Sequence, residues 1–261
     1  TLYSVCSRAN HRRTILRCGN RGWIAQEIDI AMKALFSIIF ICGMFPAVAQ
    51  KSFETREQTW LGYFNQTRFS KRSGIWIDLH HRRTGSFIED GALNIARLGY
   101  TYYLTDQVRV TAGYAYAYRY PIEGNPGLGE HRPWQQIQWF DKKAHFNLMQ
   151  WFRVEERYQP TVSGGEETGS YAFNWRFRYN FALTFPLKGH VVQAKTPFLF
   201  FNNEVHVNAG KRIVNNYFDQ NRLFLGFGYQ FSSHVNAHLG YMYVFQQRPA
   251  GNEYLNIHAI R

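Results

Sequence analysis

The sequence predicts an all-β fold, a transmembrane antiparallel up-and-down β-barrel of about 10–12 strands. Three observations support this prediction. Apolar and polar residues alternate along much of the 261-residue chain, as they do in strands with two different faces. Aromatic residues make up 18% of the sequence and crowd onto one of those faces. A short apolar segment near residue 40 has the layout of an export signal.

The composition excludes a disordered chain and a helical membrane protein. Charged residues make up only 18% of the sequence, and its mean hydropathy is −0.39, whereas a bundle of membrane helices would have a clearly positive value. All three cysteines, Cys6, Cys18 and Cys42, precede residue 50. Residues 50–261 therefore offer no disulfide framework, thiolate nucleophile or cysteine-based zinc site.

Residues 32–49 are predicted to be a secretory signal peptide. Lys33 supplies the positive start, residues 34–45 are apolar, and Ala47-Val48-Ala49 is a small-x-small cleavage site. About twelve apolar residues are too few for the ~20 that a membrane-spanning helix needs. We interpret residues 1–31 as an upstream extension outside the mature protein, and we expect the barrel over residues 50–261.

The clearest alternation runs over residues 171–185. One face carries apolar and aromatic side chains: Tyr171, Phe173, Trp175, Phe177, Tyr179, Phe181, Leu183 and Phe185. The other face carries mostly polar ones: Ala172, Asn174, Arg176, Arg178, Asn180, Ala182 and Thr184. At ~3.3 Å per residue this strand would be roughly 45–50 Å long, well beyond the usual five or six residues.

The same period recurs along the chain. Clear strands are predicted over 108–120, 146–157, 222–231 and 235–248, and weaker ones over 60–69, 74–83, 92–104, 132–140, 197–209 and 253–261. Longer polar loops are expected over 122–130, 159–169, 188–196 and 209–216. The count is about eleven strands in one domain. Since single-chain bacterial barrels have even strand numbers, we expect the C-terminal strand to be truncated.

A soluble β-sandwich would also alternate apolar and polar residues. The predicted strands are longer than sandwich strands, and their apolar faces are rich in Tyr, Trp and Phe, as in a lipid-facing wall with aromatic girdles. A closed barrel is also the one β-structure that satisfies every backbone group in lipid. Together with the signal peptide, these features predict the outer membrane of a Gram-negative bacterium.

Four groups of residues carry a family resemblance. They are Glu130-His131-Arg132-Pro133-Trp134-Gln135-Gln136, Arg153-Val154-Glu155-Glu156-Arg157, Asn221-Arg222 with Gly226-Phe227-Gly228-Tyr229, and Gly240-Tyr241-Met242-Tyr243. In this order, and with Trp60-x-Gly62 and Asn202-x-Glu204, they resemble the bacterial family called domain of unknown function 2490 over most of residues 60–258. The resemblance implies an outer-membrane barrel and no particular activity.

The polar strand faces are predicted to converge on an arginine-rich interior. Its candidate members are Arg153, Glu155, Arg157, Arg176, Arg178, Glu204 and Arg222. Two interpretations stay open. These residues could fill a narrow barrel as an ion-pair network, because buried charges persist when they are paired. They could instead bind or pass small anionic solutes, because rings of arginine favour anions.

The predicted function is therefore non-enzymatic: a monomeric, narrow, anion-leaning channel, or a structural barrel whose loops bind a partner. The alternative is an outer-membrane lipid-modifying hydrolase, which needs a serine, a histidine base and an orienting residue within reach. The serines of residues 50–261 fall mostly in turns, and we interpret Ser232-Ser233-His234 as a solvated turn.

No cofactor is expected. Glu204 with His206, and Asp78 with His80, each present two potential metal ligands at alternate positions, but we interpret both pairs as hydrogen-bonded interior residues. Residues 1–49 hold six Lys/Arg and two acids, so residues 50–261 keep 24 and 16, a net charge of +8. We expect these cations to meet outer-membrane lipid and small anionic solutes, and not nucleic acid.

Overall fold

The computed structural model of the protein describes residues 51–122 and 126–261. Its eleven strands are β1 (Ser52–Arg68), β2 (Ser73–Thr84), β3 (Asp90–Tyr103), β4 (Val108–Arg119), β5 (Leu128–Lys142), β6 (Asn147–Ser163), β7 (Glu166–Pro186), β8 (Thr196–Ala209), β9 (Phe218–Gln230), β10 (Asn236–Gln247) and β11 (Glu253–Ile260). The predicted signal peptide and upstream extension lie outside the described residues. Within the described part, no helix is long and apolar enough to cross a membrane.

The eleven strands close into a barrel. Strands that follow one another in the chain are neighbours in the wall, and each of these pairs is antiparallel. The wall closes where β11 lies beside β1 in parallel, over eight register pairs from Ser52↔Glu253 to Thr59↔Ile260. The predicted barrel is thus confirmed. The parallel pair departs from a fully antiparallel order, because in an up-and-down chain the first and the eleventh strand run in the same direction.

The longest hairpin corrects one prediction. β6 and β7 have 17 and 21 residues and continue to the pair Ser163↔Glu166, so the long polar loop expected over residues 159–169 is wrong. The connection is Gly164-Gly165, whose φ angles are +62° and +85°. Two-residue turns with positive φ at both central positions match the twist of antiparallel strands, and glycine adopts them without steric cost.

Alternation along each strand becomes a division between the inside and the outside of the barrel. On β7, the polar residues Asn174, Arg176, Arg178 and Asn180 are buried. Their neighbours on the outward face include Tyr171, Trp175, Tyr179 and Phe185, with exposed fractions of 49%, 37%, 41% and 37%. Polar residues line the interior and apolar residues cover the surface, which is the reverse of a soluble sandwich.

Part of the interior is apolar. One cluster of buried residues, from β1, β9, β10 and β11, consists of Trp60, Phe224, Met242, Val244, Leu255, Ile257 and Ala259. A second cluster, from β2 to β5, consists of Trp76, Ile95, Ala115, Ala117 and Trp134. Inward-facing glycines make room for large rings. A Cβ atom added at Gly99 would lie 2.9 Å from Trp134 Cζ2, and one added at Gly228 would overlap the ring of Phe198.

We expect Gly228→Val to destabilise the barrel, because its side chain would compete with the buried Phe198 ring. Overpacking of this kind costs about 1–3 kcal/mol, which should lower the temperature at which the folded band disappears on heated gels. Ala237→Val, at an exposed outward position on β10, is the matched control. Equal heat resistance of the two variants would contradict the packing described here.

Candidate functional site

A network of buried charges fills much of the barrel interior. Its members, all almost inaccessible to solvent, are six arginines and five carboxylates: Arg97, Arg132, Arg153, Arg157, Arg176 and Arg178, with Asp78, Glu130, Glu155, Glu204 and Asp219. Most of them lie at alternate positions on the inward faces of β2, β3 and β5 to β8, where the period of two of a strand directs them to the same side of the wall.

Glu155 lies at the centre of this network and is 1% exposed. It accepts a hydrogen bond from Arg176 Nε at 3.0 Å and another from Arg178 Nη1, while Arg153 Nη1 lies 3.8 Å away. The register of β6 and β7 produces this arrangement, because it pairs Glu155 with Arg176 and Arg153 with Arg178. The structure brings these four sequence-derived candidates together.

The network continues onto β8 and β9 through Glu204. Arg178 Nε donates to Glu204 Oε1 at 2.6 Å, so Arg178 links two carboxylates. His206 Nε2 lies 2.8 Å from Glu204 Oε1, and Arg222 Nη1 lies 3.6 Å from Glu204 Oε2. Glu204 and Arg222 thus belong to the network, with Arg222 at a longer distance than the other pairs.

Arg157 is bound by Glu130 of the preceding strand and not by Glu155. Its Nε and Nη2 donate to Glu130 at 2.5 and 3.0 Å, and it makes no recorded contact with Glu155. Arg132 holds the same carboxylate through two further hydrogen bonds of 2.7 and 2.8 Å. Two-pronged contacts of this kind suit the planar guanidinium group and give geometric specificity.

Four residues of the first motif share one face of β5. Glu130, Arg132, Trp134 and Gln136 are alternate residues, and all are buried. Gln136 Oε1 accepts a hydrogen bond from Arg153 Nε at 2.9 Å, and the Arg153 guanidinium lies 4.4 Å from the Trp134 ring. The resemblance therefore marks residues that support the charge network, although sequence reasoning had not placed them in it.

A bulge on β9 adds a carboxylate that alternation does not predict. β8 pairs His206 with Gln220 and Val207 with Phe218, so Asp219 has no partner on β8. An extra residue of this kind disturbs the alternation of a strand. Both Asp219 and Gln220 are buried, and Asp219 Oδ2 lies 3.3 Å from Arg176 Nη1.

Two members of the network, Asp78 and Arg97, pair with each other across β2 and β3. Asp78 Oδ1 accepts from Arg97 Nη1 at 2.7 Å and lies 3.0 Å from His80 Nε2. Trp76 Nε1 donates to the other oxygen of Asp78 at 2.7 Å. Sequence reasoning missed Arg97, but the weak alternation over 92–104 placed it on the face opposite the exposed Leu98 and could have indicated it.

The remaining motif residues belong to the wall. Asn221 exchanges two hydrogen bonds with Asn203 on the outward face, at 3.1 and 3.2 Å. Gly226 and Gly240 face each other across β9 and β10. Gly228 lies on the inward face of β9, and Tyr229 and Tyr241 are exposed on the outer surface.

The residue pairs considered for metal or serine chemistry have other contacts. Asp78 and Glu204 are each bound by arginine, and residues 51–122 and 126–261 contain no group of three or more potential ligands placed to hold a metal ion. Ser233 Oγ lies 2.8 Å from His234 Nδ1 in the exposed turn between β9 and β10. Ser232 Oγ accepts backbone N–H groups in the same turn.

Side chains close the middle of the barrel. Trp134, Phe224, His206 and Val244 each have an exposed fraction of 0% and project from β5, β9, β8 and β10. A cavity of about 640 Å³ opens at the end of the barrel that carries the β1–β2 turn. Amide and aromatic residues contribute much of its lining, among them Gln66, Gln138, Phe140, Phe198 and Phe200.

We expect Glu155→Gln to lower the heat resistance of the folded barrel strongly. The substitution removes the negative charge that Arg153, Arg176 and Arg178 surround. Removing one partner of a buried ion pair typically lowers the free energy of unfolding by about 3–5 kcal/mol. Glu167→Gln, at an exposed position near the tip of the β6–β7 hairpin, is the control. If both variants unfold at the temperature of the unchanged protein on heated gels, the ion pairs do not stabilise the barrel.

Comparison with known proteins identifies the family. No curated protein matches the chain, and no solved structure does. One family model, described as "Protein of unknown function (DUF2490)", matches residues 57–255. This segment extends from within β1 into β11 and includes the whole charge network. The match covers well over half of the sequence, and the chain therefore belongs to the DUF2490 family.

Proposed function

We propose that the protein is a monomeric, non-enzymatic barrel of a Gram-negative outer membrane, exported by the signal peptide predicted at residues 32–49. The apolar outer surface supports this location. Leu225, Phe227 and Leu239 have exposed fractions of 58%, 68% and 66%, and many more aromatic and aliphatic side chains surround them. A continuous apolar surface of this extent needs a partner that covers it, and lipid covers a barrel on all sides.

The dimensions of the apolar surface suit a bilayer. Along β9 and the residue that follows it, the outward residues from Leu223 to Phe231 are all apolar or aromatic. They span ~26 Å along the strand at ~3.3 Å per residue, or ~20 Å of membrane depth for the usual strand tilt. Nearer the end that carries Ser52, the outward face becomes polar, with Glu57, His81 and the Asn203–Asn221 pair. We place the edge of the membrane there.

The closed interior supports a structural or partner-binding barrel over an open pore. The observation that carries this proposal is the burial of Glu155 and the arginines around it, which leaves the middle of the barrel filled. Loops at the two ends would then be the surfaces that contact partners. A lipid-modifying hydrolase has less support, since it would rest on Ser233 and His234 in an exposed turn.

A narrow anion-leaning channel is the second candidate. One observation favours it: the interior holds more cations than anions. Arg82 and Arg222 face inward beside the network, so these two and the six arginines of the network outnumber its five carboxylates. An excess of arginine attracts anions and repels cations.

We expect Leu239→Arg to impair assembly of the barrel in lipid. An arginine on the lipid face near the middle of a bilayer lowers the stability of a barrel by about 2–4 kcal/mol, whereas an arginine on a water-exposed surface changes the stability little. Val214→Arg is the control, because Val214 is 73% exposed in the β8–β9 loop. The yield of folded barrel in lipid vesicles should fall for Leu239→Arg alone. Equal yields for the two variants would show that Leu239 does not face lipid.

Conductance separates the two candidate functions. We expect the whole chain, purified from outer membranes and inserted in planar bilayers, to be folded but electrically silent, because side chains fill its centre. A steady anion-selective current would instead show that the protein is a channel and would contradict the closed structural barrel. Labelling by a serine-directed acyl probe, abolished by Ser233→Ala, would instead favour the hydrolase.

A further inference from the structure

Arg82 differs from the six arginines of the buried network in having no carboxylate partner among the described residues. It lies on β2 opposite Trp60 of β1, and its guanidinium carbon is 3.6 Å from the centre of the indole ring. Its Nε is buried and has no hydrogen-bond partner, and no ion pair of Arg82 occurs in the described chain.

Arg222 approaches the same indole ring from β9. Its guanidinium carbon lies 5.2 Å from the Trp60 ring centre. It is 3.6 Å from Glu204, beyond hydrogen-bond distance, and that carboxylate is already held by Arg178. Its one recorded side-chain hydrogen bond goes to Gln220, at 3.2 Å. Arg222 is therefore only partly neutralised.

Both guanidinium groups lie against the Trp60 ring, and neither has a carboxylate within hydrogen-bond distance among the described residues. The face of an indole ring attracts a cation but accepts no hydrogen bonds at the guanidinium edge and carries no net charge. Desolvated N–H donors need acceptors, and desolvated positive charge needs negative charge. Both arginines keep partial solvent exposure, 12% for the Arg222 side chain, so a dissolved ion has access to them.

We propose that Arg82 and Arg222, packed on Trp60, bind a small soluble oxyanion, that is, a phosphate or carboxylate group. Oxyanions match this site because their oxygen atoms accept the paired N–H groups of guanidinium forks. All three side chains face the barrel interior, which lipid head groups outside the wall do not enter. This inference rests on the proposed preference of the interior for anions and assigns that preference to particular residues.

Inorganic phosphate is the probe for this site. The whole chain, purified in detergent at low ionic strength, is heated with increasing sodium phosphate, and unfolding is followed by tryptophan fluorescence. A ligand that binds only the folded state raises the unfolding temperature in a saturable way. We expect such a shift, and we expect Arg82→Gln and Arg222→Gln each to weaken the apparent phosphate affinity at least about tenfold, because each removes one charged fork. Arg212→Gln, in the exposed β8–β9 loop, should retain the original affinity.

The protein without phosphate supplies an independent readout. Because Arg82 is unpaired there, Arg82→Gln should unfold at the same temperature as the unchanged protein or at a higher one. Arg82→Lys keeps the positive charge but lacks the two-pronged guanidinium group, so it should bind phosphate with intermediate affinity. This variant provides the test if Arg82→Gln does not fold. Binding is measured without any current, so a silent barrel and an empty anion site are separate outcomes.

Three results would overturn the proposal. The first is an unfolding temperature that phosphate does not shift in the unchanged protein. The second is an equal phosphate shift in Arg82→Gln and Arg212→Gln, which would indicate a general salt effect. The third is a shift produced by phosphatidylglycerol vesicles but not by inorganic phosphate, which would assign the cations to lipid head groups instead of a soluble ion.

Discussion

The ion pairs around Glu155 are the interaction on which the rest of the barrel depends. Glu155 on β6, Arg176 and Arg178 on β7 and Glu204 on β8 form one chain of contacts across three strands. A slip of one residue in the register of any of these strands would turn its charges toward the apolar outer face. Such a slip would expose an uncompensated partner at a cost of several kcal/mol. The charges therefore select the register as well as filling the interior.

Because of this alternation, the outer and inner sides of the wall carry side chains of different chemical character. Outward-facing aromatic residues such as Tyr171 and Phe227 are 49% and 68% exposed, whereas inward-facing arginines such as Arg176 and Arg178 are buried and paired with carboxylates. The interior combines these polar contacts with two apolar clusters, so Trp60 and Trp134 each lie beside guanidinium groups. Indole rings suit positions between the apolar clusters and the charges, because they pack as apolar groups and still attract cations through their faces.

Most of the wall could be predicted from the sequence, because a period of two determines which side chains share a face. The grouping of Arg153, Glu155, Arg176 and Arg178 followed from that period and from pairing of adjacent strands. The partner of Arg157 did not, since Glu130 reaches it from the preceding strand, and alternation does not specify pairs across strands. Asp219 was missed because a bulge interrupts the period. The sequence predicts a loop at the end of the β6–β7 hairpin because most residues there are polar or glycine on both faces.

The parallel pair of β1 and β11 sets the order in which the barrel can be completed. All other pairs of neighbouring strands are consecutive in the chain. The β1–β11 pair instead joins residues about two hundred positions apart, such as Ser52 and Glu253. Contacts between distant residues form slowly, since the entropy of closing the chain is lost before they contribute energy. Parallel ladders are also slightly less stable per residue than antiparallel ones. We therefore expect this pair to form last during folding and to separate first in any lateral opening of the wall.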